Sequence, residues 1–132
     1  MDNLGEYRPQ ALGILRIVTA LLFIEHGTMK LFGFPSSGEG GGDGLSLLSL
    51  IAGILETFGG LAVLVGFMTR PVAFILSGQM AVAYWFFHFA GNSFFPVLNR
   101  GDAAILFCFV FLYLVFAGPG SWSLDEKRAG RA

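Results

Sequence analysis

Two histidines, His26 and His88, and one carboxylate, Glu56, stand out because each sits inside an otherwise apolar run. Imidazole and carboxylate are the side chains suited to proton transfer near neutral pH once burial or neighbours tune them. A charge at the centre of a membrane-spanning segment costs roughly 2.5–3.5 kcal/mol on insertion scales, so such groups mark functional sites by default. His26, Glu56 and His88 are therefore the candidate proton-handling residues. Lys30 lies one helical turn beyond His26, and Met80, Tyr84 and His88 recur at i, i+4 and i+8, near one helix face. Lys30, Met80, Tyr84, Arg100 and Asp102 are the candidate ligand-binding set. Arg16, Glu25 and Arg70 are expected in structural ion pairs. The plainer reading is that Lys30 and Arg16 snorkel, or pair with Glu56 and Asp102 to hold the helices together. No cysteine or closely spaced carboxylate pair completes a ligand set around the histidines, so no metal site is expected.

The elements that must position these groups follow from composition. The chain has 132 residues, 55% hydrophobic and 13% charged, with a mean hydropathy of +0.70. Soluble domains carry about 25% charged residues, so lipid is the solvent this surface suits. A net charge of -1 gives no electrostatic case for nucleic acid. The single Cys108 excludes an internal disulfide and a CxxC redox pair. About 20 mostly apolar residues cross a bilayer. Spans are expected at about 11–32, 45–68, 72–90 and 103–117, giving an all-α integral membrane protein, a four-transmembrane-helix bundle in a single domain, 1–132. The first span is not followed by a small-residue cleavage site, so it does not read as a signal peptide.

Between the spans, the Gly-rich stretch 35–44 reads as a flexible outer loop, and Thr69-Arg70-Pro71 as a tight reversal. The unusually apolar connector from Gly91 to Asp102 caps the bundle or dips into the interface. Residues 121–132 form a polar tail. Glu56 is one turn from Ala52, Gly53, Gly59 and Gly60, small residues that let a neighbouring helix approach, which puts it on a packed face. Asp102 suits the first turn of the last span, where the helix dipole favours a carboxylate. Arg8, Arg70, Lys127, Arg128 and Arg131 gather on one side, so both termini are expected in the cytoplasm (N-in/C-in). His26, Lys30, Glu25, His88 and Asp102 then lie in the outer half, with Glu56 and Gln79 nearer the middle. One outer-half cavity would gather the ionisable ones. Helical spacing keeps Arg16, His26 and Lys30 on one face and turns Glu25 toward another helix, an oligomer contact or the headgroups.

Several segments resemble one known family. His26-Gly27-x-x-Lys30-Leu31-Phe32-Gly33 resembles the first-helix signature of the DoxX family. Glu56-x-x-Gly59-Gly60 and Gly66-x-x-Thr69-Arg70 resemble its second helix and turn. Asn99-Arg100-Gly101-Asp102-Ala103-Ala104 is similar to its Asn-Gly-Gly-Glu segment, with Arg and Asp substituted; Asp102 keeps the carboxylate and shortens its reach. Gly118-Pro119-Gly120-x-Trp122-Ser123-Leu124-Asp125 is similar to its closing motif. The resemblance implies a small bacterial inner-membrane protein of four helices. Members usually carry an oxidoreductase label; some relatives are subunits of a thiosulfate:quinone oxidoreductase, and others are linked to oxidative-stress complexes.

Two readings of function stay open, and with them whether the protein is an enzyme. In the first, a redox-associated subunit binds a quinone or similar apolar redox molecule against Tyr84, Trp85 and Phe87, with His26, His88 and Glu56 as proton donors. No haem, flavin or iron–sulfur signature appears and one cysteine cannot cycle as a dithiol, so electrons would come from a partner oxidoreductase subunit or a bound cofactor. In the second, a non-catalytic membrane protein binds lipid or another ligand, or scaffolds a partner enzyme. Either could form a homo-oligomer. A transporter is disfavoured, because internal repeats and broken helices are lacking.

Overall fold

The computed structural model describes residues 2–36 and 46–130. Among them every regular element is helical. A 3-10 turn, Asp2–Tyr7, leads into α1, Arg8–Phe32, with Pro9 in its first turn, where a missing N–H costs no hydrogen bond. Gly33 ends α1 in the left-handed conformation (φ 67°) and donates its N–H to Met29. The second helix, α2, is Leu47–Val65. Ser46 caps it by accepting from the Ser49 N–H at 3.1 Å. The stretch Leu55–Gly59 within it is a π-helical turn. The third helix, α3, is Thr69–Phe89, and its last stretch, Tyr84–Phe89, is again π-helical. A short turn of helix at Pro96–Asn99 precedes α4, Asp102–Ala117, and a short helix follows at Leu124–Ala129.

The helices α1, α2 and α3 are each long and apolar enough to cross a membrane, and α4 is a shorter apolar helix. At 16 residues α4 is about 24 Å long, against a hydrocarbon core of about 30 Å. The core lies where α3 and α4 pack on each other and on α1. Phe23 meets Phe111 edge-on at 4.8 Å and Phe107 at 5.2 Å, with Ala20, Val63, Ala73, Leu76 and Leu114 buried around them. The opposite faces expose Leu21, Leu22, Phe74, Ile75, Leu106 and Phe109. An apolar surface this continuous is stable against acyl chains, not water.

One boundary expectation is corrected. The reversal after α2 is Gly66–Met68, with Gly66 and Met68 in the left-handed region (φ 70° and 47°), and Thr69 and Arg70 already belong to α3. The cause is remote in sequence: the Asp125 carboxylate accepts from the Met68 and Thr69 N–H groups at 2.9 and 2.8 Å and caps α3 from outside. The tail is correspondingly folded onto the bundle through residue 130. The Ser121 N–H donates to Pro9 O at 2.9 Å and the Asp125 N–H to Gly66 O at 2.8 Å. Most of the expected flexible loop, residues 37–44, lies outside the described residues, as does Arg131.

Candidate functional site

The site is built around Glu56. A π-helical turn widens the helix locally and re-aims the side chains on it, a device frequent at functional sites. Glu56 sits in that turn and is 2% exposed. Glycines let its neighbours come close. A Cβ on Gly27 of α1 would lie 2.4 Å from Thr57 Oγ1 and 2.9 Å from Glu56 Cβ, and one on Gly60 would lie 2.6 Å from Ile24 Cγ1. This close crossing brings Lys30 Nζ to 2.6 and 2.7 Å from the two Glu56 carboxylate oxygens. From α3, Gln79 Nε2 donates to Glu56 Oε1 at 3.3 Å. Three helices thus converge on one carboxylate. Lys30 is 34% exposed, so its end of the pair reaches toward open space.

That space is a cavity of about 280 Å³ lined by His26, Lys30, Glu56, His88 and Arg100 among the apolar Phe23, Met80, Ala83, Ala103, Ala104 and Phe107. His26 stands edge-on to Phe107 at 5.6 Å. His88 Nδ1 lies 3.2 Å from Asn99 O. A carbonyl only accepts, so this bond places the proton on Nδ1 and leaves Nε2 as the acceptor of the neutral ring. The volume is near the lower end of the ~300–1,000 Å³ typical of small-molecule sites, and the mix of apolar walls with a few convergent polar groups is also typical. Chemically, the cavity can accept and release protons at two imidazoles and a carboxylate, and two cations can hold an electron-rich head.

The structure gathers His26, Lys30, Glu56, Met80, His88 and Arg100 from the expected set. Other residues fall elsewhere. Tyr84 does not line this cavity; with Met80, Trp85 and Cys108 it lines a separate one of about 280 Å³. Its hydroxyl is 3.3 Å from Asn99 Nδ2, which donates to it. Asp102 is exposed in the first turn of α4 and outside the cavity wall. Glu25 is exposed as well. Among the described residues the ion pair is Lys30–Glu56, so the ion pairs expected of Arg16, Glu25 and Arg70 are absent there. Arg16 is wholly buried at the other end of α1. It donates to the carbonyls of Pro119, Ser121 at 3.1 Å and Trp122 at 2.9 Å. Arg70 donates to Val115 O and Phe116 O at 2.7 and 2.6 Å, the free carbonyls at the end of α4. Both arginines give their hydrogen bonds to backbone carbonyls rather than to carboxylates.

Two residues matter here that sequence reasoning assigned no role. Gln79 touches Glu56 and was legible only as a polar residue in an apolar helix. Asn99 is buried and shapes the connector: its Nδ2 donates to Ser93 O at 3.0 Å, and its Oδ1 accepts from the Gly101 N–H at 2.8 Å. That fold sets Arg100 in the left-handed conformation (φ 60°) on the cavity rim. A Cβ on Gly101 would strike Tyr84 Cε2 at 2.4 Å, so the glycine after Arg100 is sterically required.

The family model for DoxX matches residues 11–89, which take in nearly all of α1 and the whole of α2 and α3. This chain belongs to the DoxX family. The DoxX match therefore covers His26, Lys30, Glu56, Gln79 and His88, while Arg100 and the closing turn lie beyond it. Full-length relatives reach further. An uncharacterized protein of Haemophilus influenzae is 48% identical over 96% of this chain and 97% of its own. The inner membrane protein YqjF of Escherichia coli K12 is 34% identical, covering 86% of this chain and 88% of its own. The inner membrane protein YphA of the same organism is 29% identical, with 95% of each chain covered. No solved structure matches the chain.

Proposed function

We propose that this DoxX protein is a redox-associated subunit of the bacterial inner membrane that binds a quinone or similar apolar redox molecule in the cavity beside Glu56. The observation that carries this reading is the cavity lining: two imidazoles, a buried carboxylate and two cations within apolar walls. Quinone reduction takes up two electrons and two protons, and His26, His88 and Glu56 are the groups to handle those protons. Lys30 and Arg100 favour the electron-rich oxygens of the head. Electrons come from a partner oxidoreductase subunit or a bound cofactor.

In this reading four helices span the bilayer with both termini cytoplasmic. Arg8, Arg70, Lys127 and Arg128 share one end of the bundle, joined by the Ser121–Pro9 and Arg70–Val115 hydrogen bonds, and a basic end faces the cytoplasm. The inner-membrane names of the two Escherichia coli relatives support the location.

A second reading, a non-catalytic lipid- or ligand-binding protein or scaffold, is favoured by one observation. Lys30 already engages both Glu56 oxygens, as a purely structural pair would. The two readings separate by experiment. Mass spectrometry of solvent extracts from purified protein should find quinone at near-stoichiometric amounts, and Glu56→Gln should lose quinone turnover with the partner while remaining folded. Extracts holding phospholipid alone, together with unaltered turnover in Glu56→Gln, His26→Ala and His88→Ala, would give the scaffold reading the case.

A further inference from the structure

A second space touches the same carboxylate. Between α2 and α3 lies a groove of about 400 Å³ that shares Lys30, Glu56, Ala83 and His88 with the first cavity and adds Gln79. Its outer walls are Leu48, Ile51, Val82 and Phe87, all exposed on the apolar surface of the bundle. In a bilayer such a groove opens onto acyl chains. An amphiphile can lie with its tail between α2 and α3 and its head beside Glu56.

The hydrogen-bonding groups along the groove determine what that head must carry. A carboxylate only accepts, so the Gln79 amide must turn its NH2 toward Glu56. Its oxygen, Oε1, is then buried without a partner. Asn99 O likewise only accepts, so a His88 proton sits on Nδ1, and Nε2 of the neutral ring is an acceptor. Lys30, the main donor, already contacts both Glu56 oxygens. Apart from Lys30 and the Ser46 and Ser49 hydroxyls, the polar groups that line this groove and remain for a ligand are acceptors. A quinone head offers only acceptors of its own, whereas a hydroquinone head offers two O–H donors.

We propose that the α2–α3 groove admits a lipid-tailed quinol sideways from the bilayer, and that the site holds this reduced, hydroxyl-bearing head in preference to the quinone, with Gln79 Oε1 accepting one of its protons in a hydrogen bond. The inference rests on the quinone reading above and goes further by naming the redox form and the route. One net hydrogen bond is worth roughly tenfold in affinity. Tenfold tighter binding of the reduced form makes the bound two-electron couple more oxidising by about 30 mV.

The test is equilibrium binding of decylubiquinol and decylubiquinone to the full chain in lipid nanodiscs, with bound ligand quantified by mass spectrometry. The wild-type protein should bind the quinol about tenfold more tightly. Gln79→Leu should bring the ratio toward one, and Gln79→Met provides a second probe if the leucine variant folds poorly. Ala52→Leu, on the groove wall, should weaken both ligands. Quinone bound as tightly as quinol by the wild type sinks this inference and leaves the quinone reading standing. Binding of neither form overturns both. A quinol preference that survives both Gln79 variants refutes the role of that amide oxygen.

Discussion

Arg16 offers the most direct check on how the bundle is held. Its side chain is wholly buried, and it donates to three carbonyls, those of Pro119, Ser121 and Trp122. Arg16→Met keeps most of the apolar stem and removes every donor. A buried acceptor that loses its donor costs about 1–3 kcal/mol. The carbonyls share one guanidinium, so the losses do not add in full, and about 3 kcal/mol is the expected total. For a chain of this length that corresponds to a fall of about 10 °C in melting temperature. Arg16→Lys, with a compact ammonium able to reach some of the carbonyls, should lose about half as much. The assay is thermal unfolding in detergent, followed by reaction of the half-buried Cys108 with a thiol dye. Trypsin cleavage after Lys127 and Arg128 gives a parallel readout of whether the tail has come away. An Arg16→Met protein that melts within about 2 °C of wild type, with the tail equally protected, would show that the guanidinium is not what ties the closing turn to α1.

Other perturbations follow from the same contacts. Gly27→Val should separate α1 from α2, because any Cβ there lies 2.6 Å from the Thr57 backbone nitrogen; a loss of about 1–3 kcal/mol is expected in denaturant unfolding, with Gly27→Ala milder. Lys30→Met leaves Glu56 buried and unpaired and should cost about 3–5 kcal/mol. The double variant Lys30→Met/Glu56→Leu should recover much of it, and no recovery would count against the pair as the coupling element. Burial pushes the Asp125 carboxyl up, but the Thr69 and Met68 N–H groups and the Arg128 charge outweigh it and hold it below the ordinary 3.8. A lowered folded value means that the cap is at full strength above about pH 4 and is lost as pH falls through that value. The protection of the Met68 and Thr69 amides from hydrogen exchange, relative to their intrinsic rates, should therefore fall below about pH 4. Asp125→Ala should exchange fast at every pH and lose about 1 kcal/mol.

The sequence and the structure agree most closely where one helix face decides the outcome. Apolar runs gave the four helices, and the small residues around Glu56 gave its packed position, because both depend on spacing within a single segment. The cavity was legible in part for the same reason: His26 and Lys30 share a face of α1, and His88 lies at the same level of α3. What escaped depends on contacts between distant segments. Arg16 and Arg70 read as partners for carboxylates, since a sequence displays charges and hides the free carbonyls at the end of α4 and in the closing turn. Asp125 caps α3 across a separation of 56 residues from Thr69, which no local pattern could reveal, so the start of that helix was placed three residues late. The exclusion of Asp102 and inclusion of Arg100 turn on the loop conformation that Asn99 imposes.

The closing turn also has a consequence for the order of synthesis. Arg16 enters the membrane with the first helix made, yet its three carbonyl partners lie 103 to 106 residues further on. At about 5–20 residues per second, a nascent chain carries that guanidinium for roughly 5–20 s before the ribosome has produced what receives it. During that interval the cation must stay near water or headgroups. The stretch from Pro119 to Asp125 therefore acts as a latch on the finished bundle. A ribosome that stops short of it releases helices that are complete and an assembly that is not.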